Sequence, residues 1–298
     1  MKYIVFEAGS RAGFSAEMFY RAWKKRHPES DCGLIMADSD TTFAQVPAPA
    51  GVERENDKTA GALLGTAGYR AFPGDELTRQ RDGRIQEAIA TDVMAAVEPW
   101  FYEKATVNRT LERLAGADAG IRVPRTFDFE NVCVKPNSQS AGSRGVEFKT
   151  GMCVSELIDI AREYVVDVLE RGDGTLDIYA RETKLRCGYD KLVRLLPKNH
   201  RLVEAVRSFV EAVNSGTDAT LFRGVFHLQI AENPQGEYYF IEASKRISGS
   251  AVVNIFRGFN PFDVLEGTEA QAPVEPAPFE DGRWYRFEDF VAELPRVL

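Results

Sequence analysis

The sequence predicts two kinds of architecture in one chain, α/β in the first third and α+β in the remainder. In the first third, short apolar strands alternate with a helical segment, which is typical of parallel strands joined by helices. In the remainder, the turns RGDG and NPQG each join two strand-like segments, which indicates antiparallel hairpins. We therefore expect an N-terminal domain over residues 1–98 and a second domain over residues 99–298.

The composition is that of a globular protein. The chain has 298 residues, of which 44% are hydrophobic and 28% are charged, and its formal net charge is −8. The negative charge argues against non-specific nucleic-acid binding, which depends on a basic surface. The sequence has no apolar run of transmembrane length and no recognisable leader peptide. We therefore expect a cytoplasmic protein with neither a nucleic-acid nor a membrane partner.

The cysteines and histidines do not form a recognisable site. The four cysteines lack the close spacing of zinc or redox motifs, and Cys133 and Cys153 lie in apolar, strand-like runs. Buried and reduced thiols are therefore expected. The three histidines are equally scattered, so neither a zinc site nor a serine–histidine triad is indicated.

The N-terminal domain is predicted to contain a strand at 2–6, a helix near 16–25 and a second strand at 32–36. The turn EAGSRAG after the first strand contains Gly9 and Gly13 but lacks the three-glycine spacing of dinucleotide-binding turns. A nucleotide-binding turn and a purely structural turn both remain open.

Periodicity is weak over residues 49–82, which we expect to form loops around one short helix. A helical pattern resumes at Asp82, and PWFYEKATVNRTLERLAG places apolar residues on one helix face before it stops at Gly116. Residues 120–186 are mostly β, with separate strands expected in GVEFK and MCVSELI.

A helix is expected at 201–214, followed by the second hairpin, which turns at 233–236. The segments AVVNIFRG and PFDVLEG have the pattern of short helices. The segment EAQAPVEPAPFEDG is rich in proline and alanine, which is typical of an extended connector. The last residues are expected to pack back as a strand and a short helix.

Chemistry-bearing side chains cluster at one end of the second hairpin. Strand alternation places His227 and Gln229 on one face, and the turn sets Gln229 opposite residues 240–242, so Gln229 and Glu242 become cross-strand neighbours. Such an oxygen pair suits magnesium, which takes its other ligands from water and phosphates. Arg246 would then reach a phosphate or carboxylate with its bidentate guanidinium. A surface ion pair at a strand end is the alternative.

A second cluster is VCVKPNSQSAGSRGVEF. An apolar strand delivers Lys135, and small residues over 138–145 connect it to the next strand. Small residues let backbone amides approach an anion, and lysine adds a positive charge. Because the lysine precedes the loop, this is not a Walker A motif. A hairpin tip without a ligand is the alternative.

A third, weaker cluster is MCVSELIDIAREYVVDVL. Glu156 and Glu163 flank the connection between an apolar run and the next strand. A carboxylate at this place can accept hydrogen bonds from both hydroxyls of a ribose, and an extended backbone can bind the edge of an adenine. Acidic residues at strand ends are also common without any such function.

Taken together, these clusters resemble the ATP-grasp superfamily, in particular its carbamoyl-phosphate-synthase-like and carboxylate–amine ligase branches. The resemblance covers about residues 99–268. It rests on Lys135 before a glycine–serine loop, on the seven-residue spacing from Glu156 to Glu163, and on Gln229 followed by IEASKRISGS. The combination is more specific than any single motif.

The resemblance implies an ATP-grasp fold preceded by a Rossmann-like pre-ATP-grasp domain. Within residues 99–298 it implies a lid subdomain at about 122–155, a catalytic subdomain at 156–268, and a connector and tail at 269–298.

The resemblance also implies ATP and one or two Mg²⁺ ions, with Mn²⁺ as a possible substitute. Lys135 would contact the α-phosphate and the adenine side, and the loop 138–145 would close over the β- and γ-phosphates. The backbone near Glu156 and Ile158 would bind the adenine, and Glu163 would bind the ribose. Arg109 looks like the first basic ATP contact, and Lys104 competes with it. The implied ATP contacts are Arg109, Lys135, Ser140, Gly142, Ser143, Gly145, Glu156, Leu157, Ile158 and Glu163.

The implied magnesium ligands are Gln229, Glu242 and Ser244. One of them departs from the family pattern ExNxR, because Ser244 stands where asparagine is usual. A serine hydroxyl is shorter and a weaker acceptor, which puts the second magnesium in doubt. Lys245 would supply part of the missing positive charge, and Arg246 would stabilise the transferring phosphoryl group.

The resemblance implies an ATP-dependent carboxylate–amine ligase that works through an acyl phosphate and releases ADP and phosphate. Its substrates would be a small carboxylate and an amine, and analogy with the family favours amino acids. Arg181 would orient the carboxylate, although ordinary surface charge explains this arginine equally well. A phosphotransferase and a nucleotide-binding partner protein with a weakened site remain alternatives, and a homodimer is also left open.

Overall fold

The computed structural model describes residues 1–6, 11–38, 51–64, 66–72, 104–116, 119–134, 147–186, 189–216 and 221–298. Within these residues the chain forms a four-stranded, a six-stranded and a two-stranded sheet. Among the helices of these residues, none is long and apolar enough to cross a membrane.

The four-stranded sheet is built entirely from the N-terminal region. Its strands have the order β3-β2-β1-β4, and all neighbouring pairs are parallel. The predicted alternation of strands and helices is therefore confirmed. The elements are β1 (Lys2–Val5), α1 (Arg11–Arg26), β2 (Gly33–Asp38), β3 (Val52–Asn56), α2 (Asp57–Leu63) and β4 (Tyr69–Ala71).

The prediction of loops around one short helix over residues 49–82 is wrong in part, because β3 and β4 flank α2. Strand β3 lies at the sheet edge, and in its sequence VEREN only Val52 is buried. An edge strand of this kind carries almost no apolar signal. Strand β4 has only three residues, which is too short for periodicity to be visible.

The two-stranded sheet consists of β5 (Thr126–Val134) and β6 (Glu147–Ser155), which pair in antiparallel orientation. We expected two separate strands in GVEFK and MCVSELI, but the single strand β6 contains residues of both segments. Between the two segments, Thr150 pairs with Asn131 and continues the ladder.

The six-stranded sheet is antiparallel and has the order β11-β10-β7-β8-β9-β12. Both predicted hairpins are confirmed, since β7 pairs with β8 and β10 with β11. The second turn contains Gly236 at φ +82°, a backbone conformation that favours glycine. The strands are β7 (Arg162–Glu170), β8 (Leu176–Arg186), β9 (Tyr189–Leu195), β10 (Val225–Glu232), β11 (Tyr238–Ser244) and β12 (Trp284–Arg286).

From Lys104 onward the helices agree with the sequence pattern, whereas the helical pattern predicted over 82–103 lies outside the described residues. The first ends where Gly116 adopts φ +67°, the left-handed conformation that terminates many helices. The predicted connector has no regular secondary structure over 269–282. The helices are α3 (Lys104–Ala115), α4 (Arg201–Ser215), a 3-10 helix (Ala251–Arg257), α5 (Pro261–Leu265), α6 (Phe287–Glu293) and a final 3-10 helix (Leu294–Arg296).

Helices α3 and α4 cover one face of the six-stranded sheet. Leu111 of α3 and Phe209 of α4 are fully buried there. The Phe209 ring stacks on Phe240 with the centroids 6.0 Å apart. These side chains belong to one apolar core, which lies between the two helices and the sheet.

The N-terminal sheet and the C-terminal segments share a second core. The ring of Phe262 in α5 lies 5.5 Å from Tyr3, 5.6 Å from Tyr20 and 5.1 Å from Phe72. The buried Asp263 beside it accepts a hydrogen bond of 2.6 Å from Arg26 of α1. These contacts connect the two regions at a place remote in sequence from residue 98.

Candidate functional site

The central strands β7, β8 and β10 have two chemically different faces. The face toward α3 and α4, here called the apolar face, is built from Tyr164, Val166, Val168, Ile178, Ala180, Phe226, Leu228 and Ile230. The opposite face, here called the polar face, carries Glu163, Asp167, Arg181, Thr183, His227 and Gln229 among its residues. Because side chains alternate along a strand, one apolar and one polar set emerge from the same three segments.

A β-bulge brings Glu242 onto the polar face. Gln229 pairs with Glu242, whereas the next residue, Ile230, pairs with Phe240, so Ile241 is the additional residue. Phe240 is buried in the apolar core. Without the bulge, strict alternation from Phe240 would place Glu242 on the apolar face as well. The predicted pairing of Gln229 with Glu242 is therefore present, and the bulge makes it possible.

The Gln229–Glu242 pair has the donor chemistry for one magnesium ion. Both residues are half-buried, and they offer one amide and one carboxylate oxygen from neighbouring strands. Mg²⁺ usually takes only one or two protein carboxylates and completes its shell with water and phosphate oxygens. No group of three or more His, Cys, Asp and Glu suitable for a metal occurs in the described part of the chain.

Ser244 follows on the same face but is fully buried and pairs across from His227. Lys245 is also buried. Its ammonium group donates to the Arg223 carbonyl at 3.4 Å and lies 5.9 Å from the Phe226 ring centroid, on the side of the apolar face. These contacts favour a structural role for Lys245, and its predicted catalytic role stays a prediction.

Arg246 stands at the edge of the polar face and is half-buried. Its Nη1 donates to the Ile247 carbonyl at 3.0 Å. Its Nε is buried and has no hydrogen-bond partner among the described residues. An unpaired buried donor costs free energy, so an oxygen of a bound anion would improve this arrangement.

Arg181 is fully buried, so its interpretation as surface charge is wrong. The guanidinium forms an ion pair with Asp167. It also donates to the Ser248 hydroxyl at 2.6 Å and to the Ser250 hydroxyl at 2.8 Å. The Asn254 amide donates to the same Asp167 carboxylate at 2.9 Å.

The sequence contains a signal for the polar group around Arg181 and Asp167. Asp167 interrupts the apolar strand YVVDVL, and a charged residue at a buried strand position needs partners. Strand alternation predicts the face of His227 but not its hydrogen-bond partner.

His227 is buried beside this cluster. Its Nδ1 lies 2.9 Å from the Arg246 carbonyl oxygen, and because a carbonyl only accepts, Nδ1 carries the proton. Burial, reinforced by the positive charge of Arg246, lowers the pKa of His227 to about 4. The ring is therefore neutral at pH 7 and donates one hydrogen bond to the main chain.

Residues 156–161, here called the hinge, connect β6 to β7 without regular secondary structure and contain the backbone that we expected to bind adenine. The Glu156 amide donates to the Arg125 carbonyl at 2.9 Å, and the Ala161 amide donates to the Glu232 carbonyl at 2.8 Å. Between these two fixed ends, the Leu157 side chain is 95% exposed. Glu163 follows at the start of β7, half-buried and on the polar face.

The end of the hinge is fixed by a group of polar side chains around Glu232. The buried Glu232 carboxylate accepts from Tyr164 and Arg201 and forms an ion pair of 3.3 Å with Arg162. Burial alone would raise the pKa of Glu232, but the Tyr164 hydroxyl and the two arginines lower it overall. Burial, reinforced by the hydrogen bond to Glu232, raises the pKa of Tyr164.

Part of the predicted ATP site lies outside the described residues, namely Lys135, Ser140, Gly142, Ser143 and Gly145. The side chain of Lys104 is likewise outside the description. Arg109 is exposed on α3, with its guanidinium 3.5 Å from the Thr106 hydroxyl. The contacts described for it do not join it to the polar face.

No protein-family model and no curated protein matches the sequence. Solved structures do match it. N5-carboxyaminoimidazole synthetase from Staphylococcus aureus superimposes with a TM-score of 0.62 at 11% identity, over 92% of this chain and 79% of that one. The L-amino acid ligase from Bacillus licheniformis gives a TM-score of 0.54 at 13% identity, over 95% and 78%. These structures are ATP-grasp enzymes.

This chain has the ATP-grasp fold. The predicted fold class is thereby confirmed. A third ATP-grasp structure, N5-carboxyaminoimidazole synthase from Aspergillus clavatus in complex with ADP and 5-aminoimidazole ribonucleotide, matches with a TM-score of 0.56 at 14% identity, over 95% of this chain and 80% of that one. Sequence identities this low establish the shared fold only, so the activity of this chain is inferred from its site residues.

Proposed function

We propose that this ATP-grasp chain is an ATP-dependent carboxylate–amine ligase. The observation that carries the proposal is the placement of Gln229 and Glu242 side by side on the polar face, with Arg246 two residues beyond Ser244. The bulge at Ile241 supports it further, since bulges recur where a side chain is directed into a functional site. The ADP complex of a protein with the same fold is consistent with nucleotide as the ligand.

In the proposed reaction, a carboxylate oxygen of the substrate attacks the γ-phosphorus of ATP. The bond between this phosphorus and the bridging oxygen breaks, and ADP leaves. The Arg246 guanidinium binds the equatorial oxygens, where negative charge is spread in the transition state. An amine then attacks the acyl phosphate, loses a proton, and forms the amide as phosphate leaves.

Gln229 and Glu242 would hold Mg²⁺, which supplies positive charge to the phosphates when it is bound. Because Ser244 is fully buried, we infer a single protein-held magnesium, with Ser244 contributing to the strand rather than to a second ion. Mn²⁺ would bind the same oxygen donors. The ends of the hinge are held by Arg125 and Glu232, which supports its role as the adenine site.

We assign domains as the sequence suggested, with residues 1–98 before the ATP-grasp domain, β5 and β6 in the lid, and β7 to β11 in the catalytic part. Glu163 would bind the ribose, and Lys135 with the residues after it the phosphates. The amine and carboxylate substrates are small molecules, with amino acids favoured by the fold shared with an L-amino acid ligase.

A second candidate is a protein that binds ATP without turning it over. Ser244 favours this candidate for two reasons. It is fully buried, and its hydroxyl is a weaker ligand than the asparagine that is usual in the family. A phosphotransferase would differ by releasing ADP with a carboxylate or hydroxyl substrate alone.

The test is ADP release with Mg²⁺ and pooled amino acids, followed by mass spectrometry of the products. Ligation gives ADP only when a carboxylate and an amine are both present, and a product lighter than its two components by one water. Release of AMP and pyrophosphate would contradict the acyl-phosphate mechanism. Nucleotide binding without any ADP release would favour the second candidate.

A further inference from the structure

The segment that carries Arg246 is fastened to the polar face by buried side chains that touch neither Glu242 nor Gln229 in the described contacts. We call Asp167, Arg181, His227, Ser248, Ser250 and Asn254 the anchor cluster. All six are at most 5% exposed. They come from β7, β8, β10, the turn after β11 and the 3-10 helix, so the cluster joins the sheet to the chain that follows β11.

Two consecutive peptide groups after Arg246 are held by this cluster. The His227 Nδ1 donates to the Arg246 carbonyl at 2.9 Å. The Ser248 amide donates to Asp167 at 3.3 Å. Between them, the Ile247 carbonyl accepts the 3.0 Å hydrogen bond from the Arg246 side chain itself. The orientation of the Arg246 guanidinium is therefore tied to a main chain that the anchor cluster fixes.

The hydroxyls of Ser248 and Ser250 extend the attachment to Arg181, which is in turn paired with Asp167. A buried ion pair of this kind is weak evidence for stability, because desolvation of both charges offsets their attraction. It does select one geometry, since each charged group has several partners at fixed positions. The anchor cluster is therefore better suited to fixing a conformation than to adding stability.

We propose that Asp167 and Arg181 are positioning residues that hold the main chain of residues 246–250 and thereby set the place of Arg246 at the phosphoryl-transfer site. This replaces the substrate contact that the sequence suggested for Arg181. The consequence for turnover rests on the proposed function, whereas the anchoring of residues 246–250 does not. The anchoring can therefore be tested separately.

The experiment combines amide hydrogen exchange, read by mass spectrometry, with steady-state kinetics on Asp167→Asn. Exchange reports the local opening of a segment. We expect peptides covering residues 245–250 to exchange at least about 10-fold faster in the variant. We expect kcat for ADP release to fall about 100-fold, as for a misplaced catalytic group, with KM for ATP within about 3-fold.

The matched control is Asp263→Asn. Asp263 is also buried, pairs with Arg26, and accepts from the Gln271 amide at 2.8 Å, but it contacts no anchor residue in the described structure. Its variant should lose stability without faster exchange at 245–250 and without a change in kcat. If Asp167→Asn does not fold, the variant lacking both hydroxyls, Ser248→Ala with Ser250→Ala, keeps the ion pair and should show the same two effects at smaller size.

Unchanged exchange at 245–250 in both anchor variants would overturn the anchoring. Faster exchange with an unchanged kcat would overturn the positioning of Arg246. In Arg181→Lys, a raised KM for the carboxylate with normal exchange would restore the substrate contact and overturn the proposal. If the wild-type protein neither binds nor turns over Mg·ATP, the proposed function fails, and the exchange measurement by itself still confirms or overturns the anchoring.

Discussion

The two faces of the six-stranded sheet come from the same strands but serve opposite purposes. The apolar face meets α3 and α4 through aromatic and aliphatic side chains, and its contacts supply stability. The polar face carries an ion pair, a histidine and the Gln229–Glu242 pair, whose burial costs free energy. The difference shows that alternate residues of one strand can contribute to stability and to the functional site. Variants on the apolar face should therefore change mainly stability, and variants on the polar face mainly activity.

The largest effect on stability is expected from Phe209→Ala, which removes a ring packed against the apolar face. Its ring centroid lies 6.0 Å from that of Phe240 and 6.3 Å from that of Phe222. Truncating a buried phenylalanine lowers the free energy of unfolding by about 3–5 kcal/mol. Urea denaturation measures the loss, and kcat per folded molecule should stay unchanged. A large fall in kcat at full folding would show that the two faces are coupled.

Glu242→Gln should give the largest effect on activity. The change keeps the side-chain size but removes the carboxylate of the proposed magnesium pair, so we expect ADP release to fall about 100- to 1000-fold, comparable to the loss of one preorganised electrostatic group. The free energy of unfolding should change by less than about 0.5 kcal/mol, because Glu242 is only half-buried.

Glu237→Gln is the control for that change, since Glu237 precedes the same strand and pairs with Arg122 at 3.1 Å on the surface. Its turnover should equal that of the wild-type protein. Retained ADP release in Glu242→Gln would remove Glu242 from the proposed metal site.

The hairpins, their turns and the Gln229–Glu242 pairing were predictable, because turn residues and alternation are local signals. The bulge was not predicted, although the sequence contains a signal for it. Phe240 and Glu242 are two residues apart, so regular alternation would place an aromatic core residue and a carboxylate ligand on the same face. Edge strand β3 was missed because it buries only Val52. The anchor cluster depends on contacts between Asp167 and residues far along the chain, such as Asn254, which no local pattern predicts.

Glu232 is an exception to the contrast between the two faces, because its buried carboxylate lies at the end of the apolar face. Its pKa is lowered by Tyr164 and the arginines despite burial, so its contribution to stability is present above the ordinary carboxyl pKa and is lost as pH falls through the lowered pKa. Glu232→Gln should lower the free energy of unfolding by about 2 kcal/mol at pH 7, the range for hydrogen bonds to a charged group.

The pH dependence of unfolding distinguishes this explanation from a loss of packing. The difference between the wild-type protein and Glu232→Gln should shrink as the pH is lowered below about 4.5. A difference that stays constant from pH 7 to the acid range would show that the charge of Glu232 contributes nothing.

The smallest expected effect is a gain in stability from Thr183→Val on the polar face. The Thr183 hydroxyl is buried and has no hydrogen-bond partner among the described residues, and its strand neighbour Val193 is fully buried. A buried hydroxyl without a partner costs about 1–3 kcal/mol, so valine, which has the same shape, should raise the free energy of unfolding by about 1 kcal/mol. Thr183→Ser keeps the hydroxyl, loses a methyl group and should be less stable than the wild-type protein. If valine instead lowers ATP affinity, measured by calorimetry, the hydroxyl belongs to the nucleotide site, and the working part of the polar face extends across β8.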